Sequence, residues 1–152
     1  MTTNEIKEQL LKACHDWLDL RFNHIEMALK EIKTSLEEET KSSAGDKHET
    51  GRAMLQIERE NAGRQLAEAE KVRETLGKVD VSHTSDHVHL GSLVFTSHGD
   101  FYLSISAGAI EIDDKQYFAI APKSPIGALL LGKEIGDAFT FNDEAYKITS
   151  VV

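Results

Sequence analysis

Ala44-Gly45-Asp46-Lys47-His48-Glu49-Thr50 stands between two long stretches of helical periodicity, and its reading decides the fold. Before it, apolar residues recur at Ile6, Leu10, Cys14, Trp17, Ile25, Leu29, Ile32 and Leu36, mostly three or four apart, with Phe22 filling the gap near Arg21. That spacing predicts one apolar stripe on a helix from Asn4 to Lys41, about 55 Å long at about 1.5 Å per residue. After it, Leu55, Ala62, Ala69 and Leu76 repeat every seven residues, with Leu66 and Val72 on the same side. Two such stripes bury each other as a coiled coil. Ser42-Ser43-Ala44-Gly45 breaks the pattern, and Gly45 supplies the backbone freedom for a reversal. The expected product is an antiparallel helical hairpin over residues 1–77, with Asp46 and Glu49 at an acidic tip near 44–50.

Gly77 closes the second helix, and the polar stretch 78–86 reads as a linker. From residue 87 to 152 the period changes to short runs rich in Val, Ile, Phe and Tyr. Strands are expected at Val88 to Phe95, Phe101 to Ser106, Tyr117 to Ala121, Ala138 to Phe141 and Ala145 to Val151. Turns are expected at Gly99-Asp100, Asp113-Asp114 and Asn142-Asp143-Glu144. One segment departs from this pattern. In Ser124-Pro125-Ile126-Gly127-Ala128-Leu129-Leu130-Leu131-Gly132, a capping serine, a proline at the first helical position and a closing glycine predict a short apolar helix on an antiparallel sheet. The fold class is therefore α+β.

Charge narrows the function. Residues 1–77 carry 12 Lys and Arg against 16 Asp and Glu, and residues 78–152 carry 5 against 10, which together make the net charge of −9. A chain acidic in both halves gains nothing from counterion release, so independent DNA or RNA binding is not expected. A basic protein surface is the better partner. Cys14, the single cysteine, sits in an apolar helical pattern and reads as core filling, and it excludes an intrachain disulfide. The first residues have no basic or apolar leader pattern, and no apolar run approaches about 18 residues, so a soluble cytoplasmic protein is expected. His83, His87, His89 and His98 are a metal candidate, although such a cluster without cysteines or neighbouring acids is more often solvated surface.

Asp46 and Glu49, three residues apart, can lean toward one point. They complement the positive end of the second helix and are also hard oxygen ligands suited to Mg²⁺. Two carboxylates make only half a Mg²⁺ site, to be completed by a partner. The sequence contains no glycine-rich phosphate loop, Gly-x-Ser-x-Gly elbow or His-Glu-x-x-His motif, so the chain is not expected to be an enzyme in its own right.

These residues resemble a known family, the Gre transcript-cleavage factors. Ser124 to Gly132 followed by Lys133-Glu134-Ile135-Gly136-Asp137 is similar to that family's Ser-Pro helix with its Gly-Lys and Gly-Asp, and Leu90-Gly91-Ser92-Leu93-Val94 is similar to the strand opening its C-terminal domain. Gly45-Asp46-Lys47-His48-Glu49 resembles the family's tip, Gly-Asp-Leu-x-Glu-Asn-Ala-Glu-Tyr. The resemblance implies a coiled-coil hairpin followed by a small FKBP-like β domain. It also implies a monomer that binds RNA polymerase and enters its secondary channel. Asp46 and Glu49 would help to hold a Mg²⁺ shared with the polymerase active site, for cleavage of backtracked RNA. Ser124, Pro125 and Ile126 would dock on the polymerase. Where the family continues Asn-Ala-Glu-Tyr, this chain has Thr50-Gly51-Arg52-Ala53, which puts a cation in place of the third acid. Ala128 stands where the family has Arg, and Lys123 precedes the serine.

Three alternatives accompany this reading. A channel-binding regulator without cleavage activity is favoured by Arg52. A structural coiled-coil adaptor would use the acids only as a cap. A peptidyl-prolyl isomerase rests on fold alone, and fold does not transfer function.

Overall fold

The computed structural model describes the backbone of residues 1–41 and 45–152 and the side chains of residues 1–40 and 49–152. The expected turn residues Ser42, Ser43 and Ala44 lie outside the described residues, as does the side chain of Asp46. Two long helices, α1 (Thr3–Lys41) and α2 (Gly45–Gly77), precede a six-stranded sheet with a short helix, which is the expected α+β class.

A reciprocal cap starts α1. The Thr2 amide donates to Glu5 Oε2 at 3.0 Å, and the Glu5 amide donates to Thr2 Oγ1 at 3.2 Å. Two of the first free N–H groups are thereby satisfied. The buried stripe then runs Leu10, Cys14, Leu18, Phe22, Ile25, Ile32 and Leu36. Leu18 takes the fully buried position expected of Trp17, which is only partly covered, because regular steps of four from Leu10 pass through Leu18. On α2 the buried positions are Ala62, Ala69 and Leu76, with Leu55, Leu66 and Val72 half-buried beside them, as the heptad spacing predicts.

The chain divides into two compact units, one of residues 18–73 and the other of residues 1–17 with 74–152. Within the first, Ile32, Leu36 and Ala62 form a core flanked by Leu29 and Leu55. Arg52 reaches Thr40, and the Arg73 guanidinium lies 3.9 Å from the centre of the Phe22 ring. Partners on α1 thus fall in number as those on α2 rise. The hairpin is antiparallel.

In the second unit the strands are β1 (Leu93–Thr96), β2 (Gly99–Leu103), β3 (Gly108–Ile112), β4 (Lys115–Ile120), β5 (Ala138–Phe141) and β6 (Glu144–Val151), with α3 (Pro125–Leu130) between β4 and β5. Their order across the sheet is β3-β4-β2-β1-β6-β5. The pairs β3/β4 and β5/β6 are hairpins, turned at Asp113-Asp114 (φ 50° and 62°) and Asn142-Asp143 (φ 48° and 65°). Two successive positive φ values match the twist of the flanking strands, and Asn and Asp tolerate them.

The sheet corrects four expectations. The turn expected at Gly99-Asp100 falls at Ser97-His98, because Gly99 and Asp100 already pair with Thr96 and Phe95 in the β1/β2 ladder. The sheet is not wholly antiparallel, because β2 and β4 pair in parallel with Phe101 opposite Phe118. The return from β2 runs through β3, where the sequence pattern suggests no strand. The strand expected from Val88 begins only at Leu93. Gly91 has φ 94°, and the Ser92 amide donates back to the His89 carbonyl at 2.9 Å, so the chain turns there. Val88 instead exchanges backbone bonds with the loop after α3, donating to Lys133 O and accepting from Gly132 N.

One sheet face holds Val94, Phe101, Leu103, Tyr146 and Ile148, on which Leu130 and Ile126 of α3 pack. Tyr102, between Phe101 and Leu103, must point to the other face by the alternation of a strand. Tyr102 is fully buried. In the same unit Cys14 Sγ lies 3.5 Å from Ser104 Oγ, and the buried Lys7 donates to the Val152 carbonyl at 3.2 Å. Burial pushes the Cys14 thiol up, which fits an inert core role.

Gly127 has no room for a side chain, because a Cβ built there would overlap the Ala121 carbonyl oxygen. Gly127→Ala is expected to lower stability by about 2 kcal/mol, measured by urea unfolding. Lys7 is 1% exposed, and burial holds its pKa below the ordinary 10.5, opposed in part by Asp80. The folded chain therefore binds fewer protons than the unfolded chain between the lowered pKa and 10.5. The burial penalty is full below that window and fades as pH rises through it. The Val152 carbonyl also accepts from the Leu93 amide, so Lys7→Met leaves it satisfied. That variant is expected to gain about 1 kcal/mol near neutral pH, with a gain that shrinks toward pH 10.5 in denaturant titrations.

Candidate functional site

The first candidate lies on the hairpin. Glu49 is exposed in the first turns of α2, while the Asp46 side chain falls outside the described residues. One turn after Glu49, Arg52 Nη1 donates to Thr40 Oγ1 at 2.6 Å, and Thr40 Oγ1 donates to the Leu36 carbonyl at 2.8 Å. The Arg52 side chain is therefore held across the two helices. It also lines a groove of about 490 Å³ together with Lys33, Gln56 and Arg59. Neither Lys33 nor Arg59 belongs to a motif of the sequence. The available signal was the Arg52, Gln56, Arg59 spacing, which puts all three on one side of α2.

The second candidate surrounds α3. Ser124 caps the helix, accepting from the Gly127 amide at 3.1 Å and donating to the Ala121 carbonyl at 2.6 Å. Its hydroxyl is thus committed to local backbone. Pro125 is exposed, and Ile126 is half-buried against the core of the sheet. The large apolar side chains open to water here are Leu131, 49% exposed, and Ile135, 63% exposed. The loop that carries them is tightly bonded. Gly132 donates to Val88, Gly136 to Ile148, and the Glu134 amide to Asp137 Oδ2 at 2.8 Å. Gly132 and Gly136 take φ values of 83° and 91°, which make that path available.

The histidines do not converge. His83 meets the edge of His89, with ring centres 4.6 Å apart, and His89 Nδ1 lies 2.8 Å from Ser92 Oγ. His87 Nε2 is 3.4 Å from Glu134 Oε2, and His98 packs against Tyr146. Among the described residues no group of three or more His, Cys, Asp or Glu could hold a metal ion. No described helix is long and apolar enough to cross a membrane.

No protein-family profile and no curated protein matches the chain. The chain is similar to a solved structure described as that of the transcription factor Gfh1, at 20% identity and a TM-score of 0.38, covering 92% of this chain and 94% of the other.

Packing separates the roles of the apolar residues around α3. Ile126→Asp is expected to cost about 3 kcal/mol of stability, because it sets a carboxylate against the core. Leu131→Ser and Ile135→Ser should stay within about 0.5 kcal/mol, and thermal unfolding of the three variants checks the difference.

Proposed function

We propose that this chain is an accessory factor of RNA polymerase of the Gre type, whose hairpin enters the secondary channel and modulates elongation. The observation that carries the proposal is the joint presence, in one chain, of an antiparallel hairpin whose second helix opens at Gly45-Asp46 and a Ser-Pro-capped helix on a β sheet. Both elements carry the motifs that resemble the Gre family.

In this reading Asp46 and Glu49 present carboxylates to the polymerase active site. Their oxygen chemistry suits Mg²⁺, and two carboxylates leave most of its coordination sphere to the polymerase and the RNA. When bound there, the metal would supply the activated water for hydrolysis of backtracked RNA. The chain's own part is to hold the two carboxylates in place. The α3 edge, with Ser124, Pro125 and Ile126, would dock at the channel entrance, and the neighbouring Leu131 and Ile135 extend it with accessible apolar surface. Buried apolar anchors on a rigid support are the strongest contributors to such interfaces.

A second reading, a channel-binding regulator that does not promote cleavage, is favoured by one observation. Arg52 stands one turn from Glu49 and is tied to Thr40, so a positive charge is fixed near the acids.

Pull-down of RNA polymerase followed by cleavage assays on stalled complexes tests both readings. Asp46→Asn with Glu49→Gln should retain polymerase binding and lose stimulated cleavage, because the amides keep shape and lose charge. If the wild-type chain binds and competes with a cleavage factor without stimulating cleavage, the regulator reading holds. Arg52→Glu should then raise Mg²⁺-dependent cleavage. Absence of both binding and competition would overturn the polymerase assignment.

A further inference from the structure

We propose that the groove between α1 and α2 lined by Leu29, Lys33, Leu36, Arg52, Gln56 and Arg59 binds a nucleotide that carries an oligophosphate chain. The proposal stands apart from the polymerase reading, since it rests on the charge and lining of the groove alone.

The local charge runs against that of its surroundings. The helical unit of residues 18–73 carries 10 Lys and Arg against 12 Asp and Glu, whereas the groove gathers Lys33, Arg52 and Arg59 against the single acid Glu37. None of the ion pairs found among the described residues engages Lys33 or Arg59. Arg52 spends one N–H on Thr40, and a guanidinium has five. Three cations with so few internal acceptors leave a field that favours an anion in the groove.

The spacing and the lining define the ligand. Arg52 and Arg59 are two turns apart, about 10 Å along α2, and the antiparallel pairing that sets Thr40 beside Arg52 brings Lys33 toward Arg59. A single phosphate can satisfy only one end of this array, whereas an oligophosphate chain can engage both. Leu36 is buried in the hairpin core, and the half-buried Leu29 beside it keeps apolar surface that a bare oligophosphate would leave wet and a planar base can cover. Gln56 adds an amide able to donate to and accept from a base edge.

Titration of the full chain with ATP, without added metal, followed by isothermal calorimetry and phosphorus NMR, tests this assignment. ATP should bind, AMP should bind at least about tenfold more weakly, and raising the salt should weaken ATP binding. Lys33→Gln with Arg59→Gln should weaken ATP at least about tenfold while circular dichroism and the melting transition stay unchanged. Arg59→Lys, which keeps the charge, should recover part of the loss. No binding at millimolar ATP, or equal affinity in the double glutamine variant, would overturn the site. Equal affinity for inorganic triphosphate and ATP would overturn the nucleotide assignment, as would tighter binding of a short single-stranded RNA than of ATP.

Discussion

Neither long helix can bury its apolar stripe alone, and every other feature of the hairpin depends on their mutual burial. Ile32 and Leu36 on α1 meet Ala62 on α2, flanked by Leu29 and Leu55. The stripe of α2 is thin, with alanine at two of its buried positions, so the facing helix can approach closely while contributing most of the apolar area. Isolated helices of such polar composition are marginal in water, and tertiary packing supplies most of their stability. The same register sets Thr40 beside Arg52 and Phe22 beneath Arg73. Charged side chains on the outer faces acquire fixed positions only because the inner faces lock.

In the β unit an equivalent constraint acts through backbone hydrogen bonds. The Leu93 amide donates to the Val152 carbonyl, and the Val152 amide donates back to Leu93, closing the central β1/β6 pair. Lys7 donates to the same Val152 carbonyl and so ties the first turns of α1 to the sheet at the cost of burying an ammonium. Tyr102 Oη is buried and has no hydrogen-bond partner among the described residues, which pushes its pKa up through desolvation. Two polar groups in this interior therefore work against stability. The unit tolerates them because the surrounding residues, among them Leu10, Leu93, Leu103 and Ile105, are fully buried.

The candidate sites differ in how far the sequence could reveal them. The Ser124 cap, the Pro125 start and the short helix were legible because each depends on local chemistry within three residues. The burial of Ile126 was not, since it depends on strands that arrive from both sides of α3 in the chain. Leu131 and Ile135 looked like the end of an apolar run, and only the loop bonded to Val88 and Ile148 holds them out in water. The cationic groove was hidden for a similar reason. Lys33 and Arg59 are 26 residues apart and become neighbours only when α1 and α2 fold back on each other.

The sequence by itself determined the two helices, their antiparallel return, the α+β class and the turns at Asp113-Asp114 and Asn142-Asp143. Those features follow from periodicities of 3.6 and 2 and from residues with strong local backbone preferences. Only the tertiary structure decided the parallel pairing of β2 with β4, the late start of β1, the strand at Gly108–Ile112 and the burial of Lys7. Each of these arises where a distant partner outweighs a local preference: β4 returning beside β2, the loop after α3 capturing Val88, and the end of the chain accepting a bond from α1. Local propensities differ by a few tenths of a kcal/mol, whereas satisfying buried backbone and apolar surface across the fold is worth several times more, so the long-range contacts prevail.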